Sequence, residues 1–502
     1  MIEQLIRQVR EAKESAQQRD ALICLRREIK KEEERKAFCA AVGDDRAFLI
    51  ALLDSEDPKV RKNAALILGE TGTQEAFPVL LEKYLGEETL FIRADYLKAM
   101  AHLDCAPGLD ALRESMEKLD ETEPKEDTRK HLMEERTAMR RLLSAYETPG
   151  KHVFSGYDRV SEVILVTNRQ QPEATRRQVK TGTVVPMALG LRVKDPDIRE
   201  LMQIRTWSEM LFPIPGARAL KGSAREVARG ILAMKTAEYL EQLHAPGGSF
   251  YFRLEIKGPM DPAGRADFVK RLCACLEEES RGRLRNAAGS YEVEIRLLLR
   301  KDGSFLPMLK LFTLKDERFA YRKESTAASM SPVNAALAAQ LALPYLKEGA
   351  QILDPFCGSG TLLIERNHAL RADPIYGVDI FGEAVEKARK NAEADGCRIW
   401  FINRDFFEFT HEYLFDEIIT ELPRFSGEEE GASMETLCRR FFEKADTHLR
   451  TGGVMVICCS CRQLLGRIAS ESSVWEVREQ YELSEKSGAC VMVITKTKIK
   501  NC

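Results

Sequence analysis

Between residues 40 and 120 apolar side chains recur at helical spacing, and the pattern itself repeats. Val60-Arg61, Ala64-Ala65 and Leu68 return 32 residues later as Ile92-Arg93, Tyr96-Leu97 and Met100, and Leu52-Leu53 is answered by Tyr84-Leu85. Each unit reads as two helices separated by a turn, residues 54–58 in the first and 86–89 in the second. Such a pair cannot bury its apolar face alone, so residues 1–148 are expected to stack as a small all-α solenoid. The charged stretch 118–141 predicts one further, exposed helix with little apolar face.

Near Pro149-Gly150 the period becomes mixed, and residues 149–316 read as α+β. Residues 162–167 form a buried-type strand, and Ser223-Ala-Arg-Glu226 is a capping box opening a helix that runs to about His244. Residues 251–257 alternate as a strand, 262–279 as a helix and 291–296 as a strand, which Asp302-Gly303 joins to 305–312 as a hairpin. From Ala350 strands and helices alternate. Strands are expected at 350–356, 375–380, 398–404, 415–422 and 453–459, with helices at 360–370, 382–395, 435–450 and 461–472. Strands 475–485 and 488–498 then close an antiparallel hairpin. That order predicts a Rossmann-like α/β domain over 317–502, with ligands at the carboxyl ends of its strands.

The chain has 502 residues, more than one hydrophobic core usually serves, so several domains are expected. No apolar run reaches membrane-spanning length, and the start MIEQLIRQVREAKES reads as an amphipathic helix rather than an export signal, so no membrane association and a cytoplasmic location are expected. The 13 cysteines then read as reduced thiols. Cys273 and Cys275 face different ways on a predicted helix and the seven histidines are scattered, so no metal is expected. A net charge of −3 gives no global attraction for nucleic acid, which leaves local basic patches.

The chemistry concentrates at Asp354-Pro355-Phe356-Cys357-Gly358-Ser359-Gly360-Thr361, a glycine loop between a strand and a helix. Gly358 and Gly360 let a ligand lie against bare main chain. A dinucleotide loop needs a third glycine where Leu363 stands, and a phosphate loop needs a lysine that does not follow. What remains is a ligand with a ribose and no phosphate to cradle, and Asp379 ends a second strand where a carboxylate can take a ribose diol. S-adenosylmethionine fits that description.

DPFCGSGT at 354–361 and GVDI at 377–380 resemble motifs I and II of class I methyltransferases, most closely the RNA methylases that carry a THUMP domain. The repeats similarly resemble HEAT repeats. The resemblance implies a ferredoxin-like and THUMP-like middle that binds structured RNA, rRNA or tRNA, and a seven-stranded catalytic domain. Its cofactor residues would be Asp354, Phe356, Gly358, Gly360, Thr361, Asp379 and Ile380. Asp405 would meet the adenine amino group, and Phe406 would offer a stacking face. Ser331 would either approach the methionine end or simply cap its helix. Helical repeats of this kind usually engage a protein partner.

Strand four ends where the methyl group is delivered, and it decides the reaction. To methylate an exocyclic amine, a site accepts the amine's N–H bonds and stacks on the base. The resembling family does this with Asn-Pro-Pro-Tyr, whereas this chain has Glu421-Leu422-Pro423-Arg424, keeping only the second proline. Glu421 would accept an amine hydrogen, and Arg424 or Phe425 would stack. Two alternatives use the same residues. Pro423-Arg424 and Ser460-Cys461 resemble carbon-5 pyrimidine methyltransferases, in which Cys461 would be the nucleophile. A cofactor-binding RNA scaffold without catalysis is the other. RNA contacts are expected at Arg169, Arg176, Arg177 and Lys180; at Arg281, Arg283 and Arg285; and at Arg318, Arg322 and Lys323, where aromatics interleave.

Overall fold

The computed structural model describes residues 2–43, 45–72, 74–123, 125–146, 152–287, 289–326, 329–423 and 430–497. The chain divides into two compact units, Met1–Gly150 and Lys151–Cys502.

The described part of the first unit is helical. Helices Pro58–Glu70 and Leu90–Met100 carry the repeated motif, and its Val60, Ala64, Leu68, Ile92, Tyr96 and Met100 are buried together. The repeated arginine has a repeated use: Arg61 donates twice to Glu87 at 2.8 Å, and Arg93 donates to the buried Glu135 at 2.7 Å. The two helices touch through main chain, since a Cβ on Gly69 would lie 2.4 Å from the Ala99 carbonyl oxygen. Gly69→Ala is therefore expected to push the helices apart at a cost of about 1–3 kcal/mol, read as a lower urea midpoint with unchanged slope. An unchanged midpoint would show that this contact is dispensable.

Residues 118–141 depart from the expected lone helix. Leu109–Glu121 and Arg129–Ser144 are two helices whose Leu112, Met116, Leu119, Met139, Leu142 and Leu143 are buried. Charged residues hide this face in the sequence because some of them are buried and paired. Glu135 takes Arg93 and the Tyr84 hydroxyl, and Arg136 donates to the Leu119 and Thr122 carbonyls.

The second unit holds two large sheets. In the first, strands Glu162–Thr167, Thr183–Met187, Gly190–Lys194 and Trp207–Pro213 alternate with short helices in β-α-β-β-α-β order. The strand from 190–194 lies between 183–187 and 162–167, and 207–213 flanks 162–167 on its other side, which is a ferredoxin-like arrangement. The sheet continues through Phe305–Leu311, Val293–Leu299, Phe250–Lys257 and Leu284–Asn286. The capping box forms as read, Ser223 N donating to Glu226 at 2.7 Å. The helix it opens does not run unbroken to His244: Ala224–Ala233 and Thr236–Leu243 are separated at Lys235, whose φ of 56° leaves the helical region.

The second sheet contains β1 (Ala350–Asp354), β2 (Ala372–Asp379), β3 (Trp400–Asn403), β4 (Phe415–Glu421), β5 (Leu449–Cys459), β6 (Trp475–Ser484) and β7 (Ala489–Lys496). Their order is β3-β2-β1-β4-β5-β7-β6, all parallel except the antiparallel β7 between β5 and β6. Strand alternation explains the two layers of helix. Ile352, Ile419, Val456 and Val493 pack with Leu337, Leu363 and Val385 on one face. Leu353, Ile418, Ile457 and Met492 pack with Cys438, Phe441, Leu465 and Ile468 on the other. A buried ion pair pins helix Thr361–Ala369 to β4, Arg366 donating to Glu417 at 2.8 and 2.9 Å.

Candidate functional site

The carboxyl ends of β1, β2 and β4 bring three acidic side chains, Asp354, Asp379 and Glu421, near one another. Asp354 closes β1 and is buried; its Oδ1 accepts the Phe356 N–H at 3.0 Å and the Thr420 hydroxyl at 2.6 Å. Burial pushes this carboxyl up to about 7, against the pull of those two donors, with Asp379 and Glu421 adding negative charge. Asp379 closes β2 and reaches back to the loop: its Oδ2 accepts Gly358 N–H at 2.8 Å and its Oδ1 accepts Phe381 N–H at 2.9 Å. Each carboxylate oxygen keeps a further lone pair for a ligand hydroxyl.

The loop between them presents main chain. Gly358 and Gly360 have φ of 52° and 77°, and a Cβ on Gly358 would meet nothing within 4 Å, so open space lies over it. Gly360 opens helix Thr361–Ala369, whose first N–H groups are free of helical partners. Ile380 is 60% exposed beside Asp379, where it offers an apolar surface for a purine. Asp405 caps the short turn Phe406–Glu408 by accepting Phe407 N–H at 2.9 Å. These groups fit S-adenosylmethionine: a carboxylate for the ribose, glycine main chain in the middle and apolar surface for the base.

One expected contact differs, and the two readings of Ser331 are told apart. Phe406 is 1% exposed and packs against Phe356 and Phe441, so it supports the site from the core rather than offering a stacking face. An aromatic following a capping aspartate points inward here because the turn closes over the sheet. Ser331 is the N-cap of helix Pro332–Ala342, accepting Asn334 N–H at 3.3 Å; the serine that reaches the glycine loop is Ser329, 3.0 Å from the Ser359 hydroxyl. Sequence reading also misses Asn391. This buried side chain donates to the Ser359 carbonyl at 3.0 Å and the Glu324 carbonyl at 2.9 Å, and accepts Glu324 N–H at 3.0 Å. It ties the glycine loop to the strap before helix Pro332–Ala342. A lone helical asparagine carries no spacing signal that reveals this.

At the end of β4, Thr420 bonds Asp354, and Glu421 follows, half-buried. Leu422 turns into the core and donates its N–H to the Cys458 carbonyl at 3.0 Å, while Pro423 is exposed. Arg424 and Phe425 lie outside the described residues. Cys461 stands just before helix Arg462–Ser470, without a side-chain capping bond, and sits among thiols. Hydrogen bonds from Cys438 and Cys459 draw it below the usual thiol range, against burial. Cys458 and Cys461 have C-x-x-C spacing, a signal the metal reading leaves unused. Among the described residues no group of three His, Cys, Asp or Glu side chains is placed to hold a metal ion.

The basic clusters separate sharply. Arg318 is 7% exposed, pairs with Asp316 at 2.7 Å, donates to the Ile204 and Trp207 carbonyls and lies 3.2 Å over the Trp207 ring. Tyr321 is buried and donates to Glu365 at 2.7 Å, which also takes Arg205 twice at 2.7 Å. Most of the aromatic and cationic run that reads as an RNA platform is thus an internal latch between the two sheets: Tyr321 is buried and Phe319 partly so, while Lys323 is exposed. Arg283 is held by Glu238 and Glu241. Arg169, Arg177 and Lys180 are exposed, with Arg176 and Arg177 near Glu173.

The strand order and the acid-lined glycine loop define a Rossmann-like methyltransferase fold. Residues 320–487 match the family described as RMKL-like, methyltransferase domain (UPF0020), and residues 2–101 and 46–130 match HEAT repeats. The carboxyl-terminal part is therefore an S-adenosylmethionine-dependent methyltransferase domain, carried behind HEAT repeats. Among curated relatives, the tRNA (guanine(10)-N2)-dimethyltransferase of Methanothermobacter thermautotrophicus is 32% identical over 157 residues, 31% of this chain and 45% of that protein. The ribosomal protein L11 methyltransferase of Dictyoglomus turgidum is 38% identical over 78 residues, 16% of this chain and 25% of that protein. The chain thus spans less than half the length of either relative. The crystal structure of TrmN from Thermus thermophilus shares the fold, with a TM-score of 0.51 and 20% identity over 67% of this chain and 99% of that one. Among the described residues no helix is long and apolar enough to cross a membrane.

Proposed function

We propose that the protein methylates RNA, transferring the methyl group of S-adenosylmethionine to an exocyclic base nitrogen, of the guanine-N2 kind, in tRNA or rRNA. The observation that carries this reading is the Thr420–Asp354 hydrogen bond, which brings Glu421 on β4 beside the glycine loop. When bound, the cofactor supplies an electrophilic methyl group on a sulfonium. Asp379 holds its ribose, and the main chain at Gly358 and Gly360 its middle; Ile380 covers the purine and Asp405 accepts from the adenine amine. Glu421 accepts a hydrogen of the target amine, freeing the nitrogen lone pair for in-line attack, and Pro423 shapes the turn beneath the base. Leu422 in place of a proline leaves an N–H that binds Cys458, so the motif's backbone is anchored differently from the Asn-Pro-Pro-Tyr pattern. The division into repeats (1–148), an RNA-binding middle (149–316) and a catalytic domain (317–502), with a protein partner on the repeats and a cytoplasmic location, belongs to the same proposal. The RNA-facing cations are then Arg169, Arg177 and Lys180.

Transfer of labelled methyl to total RNA tests it. Wild type is expected to label RNA, Glu421→Ala, which removes the acceptor, to lose about 100-fold or more in rate, and Cys461→Ser to keep most of it. Loss confined to the cysteine variant would point to carbon-5 chemistry. Labelling of protein and not RNA would overturn the substrate, and no transfer at all would leave a scaffold.

A further inference from the structure

The end of the sheet beside the candidate site holds an unassigned group of thiols. Cys459 at the end of β5 and Cys490 near the start of β7 are directly opposed in the antiparallel register, with their sulfur atoms 3.5 Å apart. Cys438 and Cys461 belong to the same cluster of side chains as this pair. Opposed residues of an antiparallel pair have Cα atoms about 4.5 or 5.5 Å apart, both inside the span of about 4.4–6.8 Å that a disulfide bridges. Closing the sulfurs to bonding distance therefore needs side-chain rotation, not a shift of the strands. Cys459 is partly exposed, which gives a small oxidant access, whereas Cys490 is 2% exposed and fixed by the β7 core around it.

We propose that Cys459 and Cys490 form a reversible disulfide, a modification site that responds to peroxides. One sulfur of the pair, as thiolate, attacks a peroxide oxygen; the O–O bond breaks, giving a sulfenic acid and, after protonation, one water. The second sulfur then attacks the sulfenic sulfur, the S–O bond breaks, and a second water leaves as the S–S bond forms. Two thiols give up two electrons and two protons, and hydrogen peroxide is reduced to two waters. The bond would lock β7 to β5 one residue beyond Cys458, which faces Glu421 in the β4–β5 register. The site stands whatever the methyl acceptor is.

The test is peptide mapping of the full-length protein after titration with hydrogen peroxide and alkylation. A loss of about 2 Da, a cross-linked pair of peptides carrying Cys459 and Cys490, and reversal by dithiothreitol are expected; Cys459→Ser should abolish the link. Both cysteines remaining alkylatable, or the dominant link running between Cys438 and Cys461 or between Cys459 and Cys461, would overturn it. Should a serine variant fail to fold, the wild-type map alone decides.

Discussion

Asp379→Ala is expected to weaken S-adenosylmethionine binding at least 100-fold. Its carboxylate accepts Gly358 N–H at 2.8 Å and Phe381 N–H at 2.9 Å, and in the proposed binding mode its remaining lone pairs take the ribose diol. Hydrogen bonds to a charged group contribute about 1.5–3 kcal/mol each, and each 1.4 kcal/mol is tenfold in affinity. Losing the two ribose contacts alone accounts for the 100-fold, and a slackened glycine loop adds to it. Asp379→Asn keeps one acceptor oxygen and should lose about tenfold. Isothermal titration calorimetry on the full chain measures both, with unfolding curves confirming that each variant is folded. An alanine variant that binds as well as wild type would remove Asp379 from the site.

The glycine loop was legible because its requirements are local. Positive φ at Gly358 and Gly360 and a carboxylate at the end of the next strand leave few residue choices, so residues 354–380 declare themselves. The methyltransferase sheet was legible for the same reason, since strands buried on both faces read as apolar runs, unbroken at 454–457. What the sequence hid was long-range pairing of polar groups. Arg318 and Tyr321 look like an RNA platform until Asp316, Trp207 and Glu365 claim them. Glu135 and Arg136 make a helix look solvated although both are buried. Asn391 and Ser329 gain their place only when helix Gly382–Asp395 and the strap meet at Ser359. Charge patterning sees neighbours along the chain, and, Asp316 apart, these partners lie across the fold.

Arg366→Met shows the same principle as stability. The pair is almost wholly enclosed, Arg366 0% and Glu417 1% exposed, and Arg366 also donates to the Leu370 and Lys347 carbonyls. Glu417 in turn accepts Lys347 N–H at 2.7 Å. Removing the guanidinium leaves a carboxylate inside the sheet with one backbone donor for company, and breaking a buried pair in this way costs about 3–5 kcal/mol. In calorimetry the transition of the unit Lys151–Cys502 should fall by several degrees. Replacing both partners, Arg366→Met with Glu417→Met, removes the stranded charge and should recover most of that loss, because apolar isosteres avoid the desolvation the ions suffer. A double variant no more stable than the sum of the two single losses would show the residues to be uncoupled. Cofactor affinity should follow stability only in the single variant. Helix Thr361–Ala369 begins at Gly360, so an arginine that pins it to β4 also sets the loop against Asp379 and Glu421.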